Sequence, residues 1–584
     1  MSTAKDTAGN FFRHNEKALW LLLIIACATW VRANGLTRES YWFDELFSAY
    51  FSNPAHSFRQ VVELTLADIH PPLYQLLMWW SYKLFGYNEL AGRLPSFLSG
   101  VLVIPVIYLL GRDLVSKRAG LYAAALAIPN YYLVYYAQEA RSYALFYLLS
   151  SLSFLFLVRA LRSESRLNVA LYIASTTAFL YTHYYVFVAL AAQGVIVLAY
   201  MAHEKYFDKA LLTRAAIALG ILLLASLPII SAIQSHIGIN DLWIPQPGPA
   251  FFANFFIHYF ESFVLAGIFT ALLLAGIVSG FYPGADRSSR FAVIVLLIWI
   301  VIGYLVPWVR GVIAQPILTD RNTIMLVPPV LLLASMGLMS IRPVFLQRLA
   351  IIALLIYSWA HLAIEIDYDD RIKKDQYREL AQSLASFGPA LPVYTLKFDD
   401  TKFNVYFEQQ RSGLVAEDLV ILGERLEAGN APPLFWVAGG RSRNVDTEIN
   451  QDYGLIEVNK YRLKGTEAAL YVNPASNTKL SLRLSSEETE TINIFVSGPM
   501  MLDKGGALLT AVDMSGVADG ETVMTTVELR DEQGNVLATQ MARLKNTEGV
   551  LLFRPDIEQG VRARITVPKT VGKPRVWLLP TDTE

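Results

Sequence analysis

Cysteine is nearly absent. Cys27 is the only one in 584 residues, which excludes an internal disulfide and a cysteine-based metal site. Charge is scarce too: Asp, Glu, Lys and Arg make up 17% of the chain and the formal net charge is −1. With no clustered basic tail, nothing calls for nucleic acid as a partner. What fills the chain is apolar, at 54% hydrophobic residues and a mean hydropathy of +0.38. Over so long a chain that average excludes a soluble protein with a polar surface; it requires many segments solvated by membrane lipids. The apolar runs are unevenly spread, nearly all lying before Ile364.

A bilayer core takes roughly 20 apolar residues per helix. Candidate spans are Ala18–Val31, Leu94–Leu110, Ala119–Ala137, Ser142–Val158, Leu167–Thr182, Tyr184–Met201, Ala215–Ile233, Ser262–Phe281, Phe291–Val309, Ile324–Ile341 and Leu349–Ile364, about eleven in all. None contains Asp, Glu, Lys or Arg, and His361 is their only histidine. Basic residues occupy every second loop: Arg13 and Lys17; Arg112, Lys117 and Arg118; Arg159, Arg162 and Arg166; Lys205, Lys209 and Arg214; Arg287 and Arg290; Arg342 and Arg348. The positive-inside rule then puts the N-terminus in the cytoplasm and, with an odd number of spans, the C-terminal part outside. Ile24-Ile25-Ala26-Cys27 looks like a lipoprotein cleavage site, but the segment reads better as the first of a long series of spans.

The chain therefore divides into a membrane domain over 1–364, an α/β unit over 365–472 and a β-sandwich over 473–584. In the α/β unit, Tyr377–Phe387 has helical spacing, and Pro392–Leu396 and Leu434–Val437 read as short strands. Short alternating runs follow at Leu480–Leu484, Ile492–Val496, Thr525–Leu529, Val536–Met541 and Val561–Val567. Turn signals at Asp531-Glu532-Gln533-Gly534 and Asn546-Thr547-Glu548-Gly549 separate some of them. Neither unit carries a metal-ligand cluster or a nucleophile motif, and Gly439-Gly440 is too little for a phosphate loop.

The outer loops hold the charges. The first, Ala33 to Gly92, is too long for a simple connection. It contains Asp44-Glu45 after an aromatic cluster. The spacing of Phe43, Leu46, Phe47 and Tyr50 suits a helix at the membrane surface that presents an acid to the protein. The plainer alternative is that both acids favour the positive end of that helix. Next comes Asp68-Ile69-His70-Pro71-Pro72-Leu73-Tyr74, whose prolines fix a helix start at Leu73. His70 before that start is either placed to receive a phosphate or an ordinary cap. Arg93 stands at the outer end of the second span. Glu139 and Arg141 share a tight turn, either pairing across it or leaving Arg141 to meet a phosphate. Asp320, Arg321 and His183 lie at further outer turns; a histidine such as His183 at an interface is more often structural than a ligand.

Taken in order, Asp44-Glu45, His70-Pro71-Pro72-Leu73-Tyr74, Arg93-Leu94-Pro95-Ser96 and Gln138-Glu139-Ala140-Arg141-Ser142-Tyr143-Ala144-Leu145 resemble the GT-C glycosyltransferases. Within that superfamily the resemblance is to the dolichyl-phosphate-mannose–protein mannosyltransferases and the aminoarabinose transferase of lipid A. It covers Phe43–Arg159, extends more weakly to Arg321, and leaves out the α/β and β-sandwich units. It implies a polytopic α-helical membrane protein of the GT-C type that transfers a sugar, with inversion, from a polyprenyl-phosphate-sugar donor at the periplasmic face. The acceptor would be a cell-envelope glycolipid or polysaccharide. Asp44 would be the general base and Glu45 would orient it or the acceptor. His70, Arg93, Glu139, Arg141 and Arg321 would serve substrate and departing phosphate. No cofactor is required. A divalent cation binds near the acidic loop in some relatives; here Asp68 and His70 are the only candidates, too few to define a site. A protein O-glycosyltransferase, a flippase or transporter of lipid-linked sugars, and a non-catalytic scaffold are the rival readings. The lack of charge inside the spans weighs against transport.

Overall fold

The computed structural model describes the chain except residues 1, 69, 205–208, 237–243, 247, 249, 369, 371, 388–390, 397, 441–444, 446–454, 474–483, 489–491, 498, 503–506, 513–521, 546–549, 554, 570, 572, 573 and 580–584. By internal contacts it divides into two units, Met1–Glu39 with Phe51–Ile372, and Ser40–Tyr50 with Lys373–Glu584.

The first unit is helical. Among the described residues, eight helices are long and apolar enough to cross a membrane: Glu89–Leu114, Tyr143–Arg162, Val186–Glu204, Lys209–Ile230, Phe263–Phe281, Arg287–Ile313, Arg321–Ser340 and Val344–Glu365. Each matches an expected span. The others differ for local reasons. Ala18–Val31 lies inside a longer helix, Ser2–Ala33, where Glu16, Lys17 and Arg32 bracket the apolar run. Ala119–Ala137 is broken into Lys117–Leu126 and Tyr131–Ala137. Pro129 has no N–H to continue the ladder, and the Asn130 side chain caps the second helix by accepting from Leu133 N at 3.1 Å. Leu167–Thr182 is helical over Arg166–Leu180, 15 residues, about 22 Å of rise against a hydrocarbon core of roughly 30 Å.

Where apolar side chains gain nothing by leaving lipid, close backbone contact holds helices together. Gly337 and Gly276 provide it: a Cβ on Gly337 would lie 2.0 Å from the Leu272 carbonyl oxygen, and one on Gly276 would lie 2.2 Å from that of Leu333. Arg32 is fully buried and donates to the Ala127 carbonyl at 2.9 Å, one of the acceptors that the break at Pro129 leaves open.

The second unit contains a five-stranded sheet built from β1 (Val393–Thr395), β2 (Ala416–Asp418), β3 (Leu434–Gly440), β4 (Ile456–Leu463) and β5 (Thr466–Val472), in the order β2-β1-β3-β5-β4. β1 runs parallel to β2 and β3, while β5 is antiparallel to β3 and β4. The Tyr377–Ser386 helix and strands β1 and β3 fall where the sequence places them. The rest is β-structure: β6 (Leu484–Glu488), β7 (Ile492–Ser497), β8 (Met500–Leu502), β9 (Ala507–Ala511), β10 (Thr522–Arg530), β11 (Val536–Lys545), β12 (Val550–Phe553), β13 (Gln559–Pro568) and β14 (Arg575–Leu579). One sheet runs β11-β10-β13-β7-β6 with β8 beside β13, and the other runs β12-β9-β14. Val527, Leu529, Ala563 and Ile565 of the first sheet share a core with Leu508, Leu551 and Val576 of the second. The Asp531–Gly534 turn forms, with Gly534 at φ +88 and Asp531 N donating to Asn535 O at 3.0 Å. Residues 480–483 of the expected Leu480–Leu484 strand, and the Asn546–Gly549 turn, lie outside the described residues.

Candidate functional site

In the first unit three loops meet at one end of the helices. The Pro71-Pro72 pair starts the Leu73–Phe85 helix, and Leu73 N donates to Tyr181 O at 2.8 Å, joining the His70 turn to the Tyr181–Tyr185 turn. Ser96, on the Glu89–Leu114 helix, donates to the Arg141 carbonyl at 3.0 Å and therefore accepts from the Tyr74 hydroxyl at 2.8 Å. The Glu139–Arg141 turn is closed by the backbone, Arg141 N to Glu139 O at 2.7 Å, with both side chains buried.

At the meeting point His70 Nδ1 lies 2.9 Å from Asp68 Oδ2, and its Nε2 lies 3.1 Å from Arg141 Nη2. A guanidinium only donates, so Nε2 accepts and the ring proton sits on Nδ1, bonded to Asp68. Carboxylate, imidazole and guanidinium thus form a relay that orients Arg141. His183 stacks on Phe146 with ring centroids 4.4 Å apart, and its Nδ1 accepts from Tyr185 N at 3.2 Å. Burial first, then the nearby His70 and Arg141, push its pKa down to about 3. Burial and Asp68 raise the Tyr184 hydroxyl to about 12. The Arg321 guanidinium lies 5.9 Å from the Tyr143 ring centre, on the helix that begins just after Arg141. Its neighbour Asp320 stands 3.6 Å from His258 Nδ1 and holds that imidazole above its ordinary pKa. Asp320 itself is pulled below the usual carboxylate range: burial pushes it up, but His258 and Arg321 outweigh burial.

The structure thus gathers Asp68, His70, Arg141 and His183, with Arg321 against the helix that follows Arg141. Arg93 is engaged elsewhere. It is 1% exposed and donates to the Leu36 and Glu39 carbonyls at 2.9 and 2.8 Å, pinning the start of the first outer loop. His258 went unnoticed in the sequence, where it ends a run of aromatics, Phe251–His258, without any motif.

Asp44 and Glu45 belong to the second unit. They open the Phe43–Phe51 helix, with Asp44 half-buried and Glu45 without exposed surface. Glu45 Oε2 is 2.8 Å from Lys374 Nζ and accepts Trp42 N at 3.2 Å. The Phe43 and Phe47 rings face a cation. Lys402 Nζ lies 3.8 Å from the Phe43 ring centre and 5.3 Å from that of Phe47.

Among the described residues no group of three or more His, Cys, Asp or Glu gathers to hold a metal. The Asp68–His70 pair does not fit a cation either: both imidazole nitrogens are engaged, one by a guanidinium.

This is the architecture of a polytopic helical membrane protein with C-terminal sheet domains, and solved structures share its fold. ArnT from Cupriavidus metallidurans in the apo state superposes with a TM-score of 0.55 at 15% identity, over 79% of this chain and 98% of that one. The same protein bound to undecaprenyl phosphate gives 0.53 at 16% identity, over 79% and 99%. Residues 69–235 match the family model described as dolichyl-phosphate-mannose-protein mannosyltransferase, a stretch that includes His70, Arg93, Glu139, Arg141 and His183. No curated protein matches the chain in sequence.

Proposed function

We propose that this protein is an inverting glycosyltransferase that moves a sugar from a polyprenyl-phosphate carrier to a glycolipid or polysaccharide of the cell envelope, at the periplasmic face. The observation that carries the reading is the Asp68–His70–Arg141 relay, in which a carboxylate and a neutral imidazole hold a guanidinium where loops meet at the helix ends. A guanidinium matches phosphate in shape and charge and does not lose its proton. In the step proposed, the acceptor oxygen attacks the anomeric carbon and the bond from that carbon to the phosphate oxygen breaks. Polyprenyl phosphate leaves with the electron pair, and the acceptor proton passes to Asp44 as general base. Arg141 and Arg321 stabilise the departing anion, and His70 orients Arg141. Each charge-assisted hydrogen bond is worth about 1.5–3 kcal/mol. His183, neutral by burial, lines the phosphate side without adding charge. Arg93 supports the loop that leads to Asp44, Glu45 holds the turn on which Asp44 sits, and Glu139 shapes the Arg141 turn. The basic loops support a cytoplasmic N-terminus and an inner-membrane location.

The test uses the purified protein in proteoliposomes with a panel of labelled polyprenyl-phosphate hexoses and pentoses, and undecaprenyl phosphate as the binding probe. Arg141→Met should weaken binding of the probe, whereas Asp44→Asn should bind it normally and lose turnover. Normal binding by Arg141→Met, or normal turnover by Asp44→Asn, rejects the assignment.

A further inference from the structure

We propose that Lys374 is a positioning residue for the transfer reaction, acting through Glu45 to fix the helical turn that carries Asp44. The inference rests on the transferase reading above. Glu45 and Lys374 form an ion pair at 2.8 Å with side chains 0% and 6% exposed. The carboxylate oxygen that takes the ammonium also accepts the N–H of Trp42, the residue preceding the Phe43–Phe51 helix. One oxygen therefore ties a lysine of the C-terminal part to the first turn of the helix. Without its counter-charge, a carboxylate so buried either takes up a proton or moves towards water. Either response shifts Asp44, its neighbour in the chain.

A second lysine grips the same turn from the other side of Asp44 in sequence. Lys402 lies 3.8 Å over the Phe43 ring and 2.6 Å from Asp399 Oδ1. Asp399 Oδ2 in turn accepts Gly440 N, at the end of β3, at 3.0 Å. Residues 43 and 45 are thus each fastened to the α/β part by a buried lysine, with residue 44 between them. A module that only displayed or bound carbohydrate would have no need of this arrangement. The geometry gives the C-terminal part a role in the chemistry, setting the direction in which Asp44 points.

The test compares full-length variants in proteoliposomes, using as donor whichever labelled polyprenyl-phosphate sugar the wild type turns over. Lys374→Met should lower kcat by between about ten- and a hundredfold, the effect of a base displaced by about an ångström. The donor KM should stay within about twofold, and binding of undecaprenyl phosphate should be unchanged. Combining Lys374→Met with Glu45→Gln, whose amide needs no counter-charge, should recover part of the lost kcat. Thermal unfolding above the assay temperature checks that folded proteins are compared. If Lys374→Met does not fold, Lys374→Arg replaces it, with a lowered kcat at unchanged KM expected. A wild-type kcat in the single variant, or a double variant no faster than Lys374→Met, overturns the proposal. Asp44→Asn keeps the two readings apart. An active Asp44→Asn protein sinks the base assignment itself, whereas an inactive one beside a fully active Lys374→Met sinks only the role of Lys374.

Discussion

At His183 an imidazole is stacked on Phe146 and held neutral, with its pKa pushed from 6.5 to about 3 by burial and by His70 and Arg141. Between those two values the unfolded chain binds a proton that the folded protein does not. Stability therefore falls as pH falls through that window, by up to about 1.4 kcal/mol per pH unit. Thermal unfolding in detergent should show acid sensitivity beginning just below 6.5, and His183→Phe should lose much of it; an equally acid-sensitive variant contradicts this. His258 works in the opposite sense: Asp320 raises its pKa, so its contribution is present at low pH and fades as pH rises through the raised value. With side chains 48% and 36% exposed, that pair is largely screened by solvent. Arg141→Lys keeps the charge but loses the planar fork, and should weaken undecaprenyl phosphate binding by about tenfold; unaltered affinity in a titration would argue that Arg141 meets no phosphate. His70 and Arg141 were legible in the sequence because a proline pair and a span end frame them. The tautomer of His70 was not, because it depends on Arg141, which approaches from another loop.

Among the helices, the apolar runs gave most of the spans, since lipid demands length and composition and both are written locally. The Ala119–Ala137 break was written there too, in Pro129 and Asn130, but an apolar count passes over a single missing N–H. Close packing is a different matter. Gly276 and Gly337 look like any glycine in a span, and only the carbonyls of Leu333 and Leu272 show why a side chain does not fit. Gly337→Val should abolish folding of the membrane unit, read as loss of monodisperse protein in detergent, while Gly267→Ala, which faces open space, should leave it intact. A well-folded Gly337→Val protein would show that the two helices can separate at little cost. The Phe43–Phe51 helix was recognisable by its spacing, whereas its cationic neighbour was not. Its aromatic side faces Lys402, a residue that no local pattern connects to it.

Over the whole chain, the link hardest to read was the one between residues 329 apart, Glu45 and Lys374. Sequence pattern reports on neighbours; it carries no signal that a C-terminal lysine neutralises an acid in the first outer loop. The consequence is an expectation for truncation. With Ser40–Tyr50 belonging to the same unit as Lys373–Glu584, removing residues 373–584 leaves Glu45 without its ammonium and the acidic helix without the unit it packs in. The truncated protein should insert in the membrane, by protease protection, and show no transfer. Residual transfer near the full-length rate would mean that the acidic helix does not depend on the C-terminal unit. The most direct test of the central claim is to follow both halves of the donor. Vesicles holding the purified protein receive a labelled polyprenyl-phosphate sugar on the face bearing the C-terminal unit, together with envelope glycolipid. Sugar should appear on the acceptor with inverted anomeric configuration, one polyprenyl phosphate being released per sugar moved. Label that only changes leaflet, still joined to its carrier, would contradict the account.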